Sequence, residues 1–266
     1  MLVAISGACS VFVNLDGLAT SGDDAATEAG SEASIDTGID TGADAGGMDT
    51  GPDVYDFICP DASIVCDDFD DSPLGARWTA VGTQGLATLA IDDAGALSPP
   101  NSLLLTLAQN PQSASRWARL EKAFGPVSSI DCSFDMFFEA TDASGSQNVR
   151  VLEFDMTPPG YSEYTFFVSM QLGKLVFEQH ATQTNSDAGP QSRADTIAMP
   201  NPMGVWRKIH VFTDWKKVHV DVDGAAALDR AVLVSIAPPK GNIFVGMTYD
   251  GEIPAWSYRI DDVLCQ

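Results

Sequence analysis

An all-β sandwich is the fold class the sequence predicts, and three observations carry the prediction. From about residue 57 onward, short runs alternate apolar and polar residues: Ser102–Leu107, Ile130–Phe138, Val149–Met156, Tyr164–Met170, Leu175–Gln179, Trp206–Thr213, Val218–Val222, Gly241–Tyr249 and Tyr258–Leu264. A period of two is the mark of a strand with one buried face. Gly, Pro, Asn and Asp clusters separate the runs, and Pro-Pro falls at 99–100, 158–159 and 238–239, outside the runs; proline belongs to sheet edges and loops. No stretch keeps a helical period for long. With no second linker, the C-terminal part suits one large two-sheet sandwich better than two immunoglobulin-sized ones.

Charge divides the chain. Of 266 residues, 37 are Asp or Glu and 14 are Lys or Arg, for a net charge of -23. Residues 1–56 hold 11 of the acids and no base, which leaves residues 57–266 with 26 acids, 14 bases and a net charge of -12. Neither part has the basic footprint a nucleic-acid binder needs. No apolar run approaches the ~18 residues of a membrane span.

The first element is residues 1–18. Met1 to Ala8 is a short apolar run that ends in small residues before Cys9. This resembles the end of a bacterial lipoprotein signal, in which the Cys is lipid-modified and becomes the new N-terminus. Ser6 departs from the usual Leu three residues before the Cys. A charged n-region, which such a signal needs, is absent, so the true start is expected upstream. The competing reading is a buried strand continued by Val11, Val13 and Leu15. The anchor is preferred because a tether follows it.

That tether is residues 19–56, built from Ala, Gly, Thr, Ser and Asp. Asp36-Thr37-Gly38, Asp40-Thr41-Gly42, Asp44-Ala45-Gly46 and Asp49-Thr50-Gly51 form a loose repeat. An aspartic-protease tripeptide would sit in an apolar strand-loop context that is missing here. A calcium loop would need an Asp ladder and a terminal Glu. Low hydrophobicity with unbalanced charge predicts a disordered, self-repelling spacer.

Within the folded part, 57–266, one hairpin can be read in detail. Trp206–Thr213 and Lys216–Asp223 flank Asp214-Trp215. Pairing symmetric about that turn sets Lys208 opposite Asp221, His210 opposite His219 and Phe212 opposite Lys217. Ile209 and Val211 then share a buried face with Val218, Val220 and Val222. Asp223-Gly224 supplies the next tight turn.

Trp206…His210-Val211 followed by Val218-x-Val220-Asp221-Val222-Asp223-Gly224 is similar to a hairpin of laminin-G-like domains, members of the concanavalin A-like lectin/glucanase superfamily. Ile260-Asp261-Asp262-Val263 resembles that superfamily's closing strand, and Cys66-Asp67-Asp68-Phe69-Asp70 its opening strand, the two pairing antiparallel. The likeness covers roughly residues 62–265. It implies a two-sheet antiparallel jelly roll and leaves function open, because the fold hosts lectins, hydrolases, lyases and adhesion modules.

Besides Cys9 there are four cysteines: Cys59, Cys66, Cys132 and Cys265. An even set in an exported domain implies two disulfides with three possible connectivities. The strand pairing implied by the resemblance favours Cys59–Cys66 with Cys132–Cys265. No Cys-x-x-Cys spacing suggests zinc or redox chemistry.

The resemblance also implies a concave face on which relatives place glycans. Candidates for it come from alternation. Trp117, Arg119 and Glu121 share a face, Val151, Glu153 and Asp155 oppose core Leu152, Phe154 and Met156, and Lys174, Glu178 and His180 oppose core Leu175 and Phe177. An aromatic ring for sugar C–H groups beside charged donors and acceptors suits glycan binding.

Glu153-Phe154-Asp155 resembles the start of the laminarinase-like glucanase signature Glu-x-Asp-x-(x)-Glu. Thr157 and Pro158 stand where its second Glu belongs. Retaining hydrolysis needs two carboxyls about 5–5.5 Å apart, whereas Asp155 lies ~6.5–7 Å along the strand. The plainer reading is a solvated strand face, or binding without catalysis.

Two metal readings arise. His210 and His219, with Asp221, could ligate an ion, although two such His are more often ordinary surface residues. Asp68, Asp70, Asp261 and Asp262 converge if the first and last strands pair, and a structural Ca²⁺ would relieve their repulsion. Nothing resembles a nucleophilic triad, a P-loop or a dinucleotide fingerprint.

The sequence thus points to a bacterial cell-surface or outer-membrane lipoprotein, or a secreted protein, that meets a membrane only through its lipid. Its jelly roll is expected to bind a polysaccharide or glycoconjugate without catalysis. The alternatives are a polysaccharide hydrolase or lyase using Glu153 with Asp155, and an adhesion module that binds protein.

Overall fold

The computed structural model of the chain describes residues 57–70, 73–110, 115–144, 147–185, 187, 189–200, 202–249 and 254–266. Cys9, the 1–18 leader and the 19–56 spacer lie outside the described residues. Among the described residues, all regular elements are strands. In chain order they are β1 (Val65–Asp67), β2 (Ala80–Gln84), β3 (Ala87–Asp92), β4 (Ser102–Leu107) and β5 (Arg116–Phe124). Next come β6 (Ile130–Thr141), β7 (Asn148–Met156), β8 (Tyr161–Gln171), β9 (Lys174–Gln183) and β10 (Gln191–Ala198). The last five are β11 (Trp206–Thr213), β12 (Lys217–Val222), β13 (Ala225–Ala231), β14 (Gly241–Tyr249) and β15 (Trp256–Cys265).

They form two antiparallel sheets. One runs β13-β12-β11-β6-β15-β4-β3, with β1 added against β15; the other runs β10-β9-β8-β7-β14-β5-β2. Inward-facing side chains of both meet in one core. Leu103, Leu105, Phe134, Met136, Phe138, Ile209 and Val211 come from the first sheet, and Leu120, Phe154, Phe166, Phe177 and Val245 from the second. Phe166 meets four rings in this core: Tyr164 at 4.7 Å, Phe177 at 5.8 Å, and Phe154 and Trp215 each at 6.4 Å between centroids. Offset and edge-on pairs of this kind add to the burial term.

The first and last strands pair as expected, with Cys66 opposite Leu264 and Asp67 opposite Val263. Both expected disulfides are present, Cys59–Cys66 and Cys132–Cys265. The second joins residues directly opposite each other on β6 and β15.

Two register expectations are corrected. In the β11–β12 hairpin, His210 faces Asp221 and Phe212 faces His219, two positions from the symmetric pairing, while the predicted buried face is retained. The turn is longer than Asp214-Trp215. Asp214 Oδ1 accepts the N–H groups of Lys216 and Lys217, Trp215 adopts φ 63°, and its buried indole donates to the Val127 carbonyl. The second correction concerns Val151, which was expected on the open face and is 0% exposed. An irregularity in the β7–β8 and β7–β14 pairing at this residue turns Val151 inward and puts Arg150 on the open face instead.

Candidate functional site

Trp117, Arg119, Glu121, Glu153, Asp155, Glu178 and His180 all project from the outer face of the seven-stranded sheet. Period-two alternation on β5, β7 and β9 puts them there, since their chain neighbours Ala118, Leu120, Phe154, Phe177 and Gln179 are buried. The registers assemble them into rows. One row reads Glu178 (β9), Phe167 (β8), Glu153 (β7), Phe244 (β14) and Glu121 (β5). A second reads His180, Thr165, Asp155 and Asn242. At ~4.8 Å per strand, the β9 and β5 ends of the first row stand roughly 19 Å apart. The predicted residues therefore line one broad strip, and Glu178 and Glu121 each lie two strand spacings from Glu153, with β8 or β14 between.

Sequence alternation did not expose the residues between them. Phe167 and Phe244 are 5% and 8% exposed and fill the positions on either side of Glu153. Each ring carries a guanidinium: Arg150 Cζ lies 4.1 Å from the Phe167 centroid, and Arg119 Cζ 4.2 Å from that of Phe244. Arg119 also lies 4.8 Å from the Trp117 ring. The Trp117 indole Nε1 donates to Gln84 Oε1 at 2.6 Å. Its ring lies along the backbone of Gly82, where a Cβ would stand only 2.9 Å from it. On the other side of the face, His180 stacks on Phe167 with centroids 4.9 Å apart and meets Glu178 Oε2 at 3.3 Å.

Electrostatics follow from this packing. Burial pushes the Glu153 carboxyl upward, against the pull of Arg150 at 3.3 Å. Asp155 is also raised, by burial first and then by the Glu163 carboxylate. Two small hollows adjoin the strip. One of about 310 Å³ is lined by Asp155, Thr157, Lys240 and Asn242, and one of about 80 Å³ by Gly82, Trp117, Arg119 and Glu121. A hollow of about 500 Å³ at the end of the sandwich, beside Thr106, Thr141 and Trp256, has a mostly apolar lining and holds none of the predicted residues.

The four acids considered for calcium are engaged in hydrogen bonds. Asp261 accepts from the N–H groups of Leu97 and Ser98, and the Ser98 hydroxyl lies 3.1 Å from Asp261 Oδ1 and 2.8 Å from Asp262 Oδ1. Asp70 accepts from Asn101 N–H and Asp68 from Asp70 N–H. Among the described residues, no group of three or more His, Cys, Asp or Glu side chains stands so as to hold a metal ion. His210 uses both ring nitrogens, on Asp131 at 2.7 Å and Asp221 at 2.9 Å, while His219 meets Asp221 at 2.9 Å. These contacts run across β6, β11 and β12.

No family model matches the chain, and neither does any curated protein. Solved structures do. An endo-β-1,4-glucuronan lyase from the fungus Trichoderma reesei superposes with a TM-score of 0.60 at 12% identity, covering 71% of this chain and 91% of the lyase. The cellulose induced protein Cip1 gives 0.54 at 14%, covering 76% and 96%. A Bacteroides ovatus mixed linkage glucan GH16 protein, solved with its G4G4G3G product, gives 0.54 at 10%, covering 76% and 99%. The class of the molecule is therefore an antiparallel two-sheet jelly roll. Its particular form is the concanavalin A-like sandwich.

Proposed function

We propose that this protein binds a polysaccharide or glycoconjugate on the outer face of its seven-stranded sheet and does not cleave it. The observation that carries the reading is Trp117, laid along Gly82, with Arg119 and then Glu121 following it along the same face of β5 and lining the same hollow. A ring surface for sugar C–H groups then adjoins a fork of donors and a carboxylate acceptor. The carbohydrate names of the matched structures support the ligand class, though at 10–14% identity they speak for the fold and not for an activity. Against cleavage stands the environment of Glu153. Phenylalanines occupy both cross-strand positions beside it, so neither adjacent strand supplies a second carboxyl at the ~5–5.5 Å that retaining hydrolysis requires.

Two disulfides fit an extracytoplasmic address. Attachment through Cys9 is part of the proposal and is checked by mass spectrometry of the N-terminal peptide from a bacterial membrane fraction. The glycan reading is tested on an array of plant, microbial and algal polysaccharides probed with the full chain. Binding that Trp117→Ala removes supports it, and silence on every glycan counts against it. One observation keeps an enzymatic reading in view: burial raises the Glu153 carboxyl, as suits a general acid. Glycan turnover that Glu153→Gln abolishes would establish that alternative.

A further inference from the structure

We infer that the glycan held by this face is neutral and that polyuronates are rejected. The inference rests on the glycan-binding reading and adds the charge class of the ligand. Five carboxylates stand on the strip: Glu121 on β5, Glu153 and Asp155 on β7, Glu163 on β8 and Glu178 on β9. The cations facing them are Arg119, Arg150 and Lys174, with His180 beside Glu178 and a single lysine, Lys240, sharing the hollow next to Asp155.

The arginines do not form an open anion cradle. Arg150 is committed to Glu153 at 3.3 Å and lies on the Phe167 ring. Arg119 lies against the faces of Trp117 and Phe244, and its charge lowers the Glu153 and Asp155 carboxyls only weakly beside the effect of their burial. Lys174 begins β9, at the far end of the strip from Asp155.

A polyuronate carries one carboxylate on every sugar. Laid across roughly 19 Å of this face, its charges fall within a Debye length, about 8 Å at physiological salt, of fixed carboxylates on both flanks. The net charge of -12 on residues 57–266 adds repulsion at longer range. A neutral sugar meets the same groups favourably. Its hydroxyls donate to Glu121, Asp155 and Glu178, its ring oxygens accept from Arg119, and its C–H face covers Trp117.

The test is calorimetric titration of the full chain with oligosaccharide pairs that share a backbone and differ at C6: β-1,4-glucan and β-1,4-glucuronan, β-1,4-mannan and β-1,4-mannuronan, and α-1,4-galacturonan with its carboxyl-reduced α-1,4-galactan. At least one neutral member is expected to bind with an affinity unchanged between low and high salt. Its uronate partner is expected to bind at least tenfold more weakly at low salt, with the gap narrowing at high salt and in Glu121→Gln/Glu178→Gln. A uronate that binds as tightly as its neutral partner, or more tightly, overturns the inference while leaving glycan binding intact. A gap that neither salt nor the double variant narrows overturns it too. Silence from all six ligands overturns the underlying glycan reading and the inference together.

Discussion

Gly82 on β2 lies directly beneath the six-membered ring of Trp117 on β5, so closely that a Cβ there would stand 2.9 Å from the indole. The space left by one hydrogen keeps the ring lying along the sheet. It also gives a variant that moves the ring without deleting it. Gly82 has no positive φ, so a larger residue is excluded only by the ring. Gly82→Val is expected to lift Trp117 off the sheet and weaken glycan binding about tenfold, near 1.4 kcal/mol. Trp117→Ala is expected to cost at least as much, and thermal melting of both variants checks that the fold survives.

Asp261 and Asp135 make stability depend on pH in an unusual direction. Burial pushes Asp261 up to about 7, helped by the adjacent Asp262 carboxylate, and burial pushes Asp135 up to about 6. Both fold with a higher proton affinity than the unfolded chain has. Their contribution is therefore full below the ordinary carboxylate pKa near 4 and is lost as pH rises through about 6 to 7. The melting temperature is expected to be higher at pH 5 than at pH 8, by an amount corresponding to a few kcal/mol. Asp261→Asn keeps an acceptor for the Leu97 and Ser98 N–H groups and should flatten this dependence.

Calcium bears on the same corner. Asp261 and Asp262 share the Ser98 hydroxyl, while Asp70 and Asp68 each accept a backbone N–H, so these acids already have hydrogen-bond partners. Chelator treatment is expected to leave the melting temperature within about a degree of the untreated protein. A calcium-dependent rise that Asp262→Asn removes would instead restore a structural ion at Asp68, Asp70, Asp261 and Asp262.

The two disulfides should differ in weight. Cys132–Cys265 closes 133 residues and Cys59–Cys66 closes 7. Loop-closure entropy then assigns about 5 kcal/mol to the first and about 2 kcal/mol to the second. Denaturant unfolding of the paired Ala variants is expected to rank them in that order, with the Cys132/Cys265 pair shifting the midpoint more.

How much of this was legible depended on which side chains report a face. Ser102–Leu107, Trp206–Thr213 and Gly241–Tyr249 coincide with β4, β11 and β14 because their core residues alternate clearly. β13, the run Ala225–Ala231, carries no alternation signal because it lies at a sheet edge and only Leu228 is even partly buried. The open-face residues Glu153, Asp155, Glu178 and His180 were readable from period-two alternation. The inward turn of Val151 was not, because the irregularity there has no composition signal. Phe167 and Phe244 were hidden for another reason. Each sits in an apolar run whose alternate members are core, and an open-face ring packed under an arginine reads as one more core residue.

The central claim is that the strip from Trp117 to Glu178 holds a glycan and leaves it intact. Its most direct measurement incubates the full chain and its Trp117→Ala and Glu153→Gln variants with each polysaccharide that the array identifies. Retained ligand and released sugar or unsaturated product are then read from the same samples. The account predicts retention by the parent and by Glu153→Gln, loss of retention in Trp117→Ala, and no product from any of the three. Product formed by the parent and absent with Glu153→Gln would contradict it, as would retention that survives Trp117→Ala undiminished.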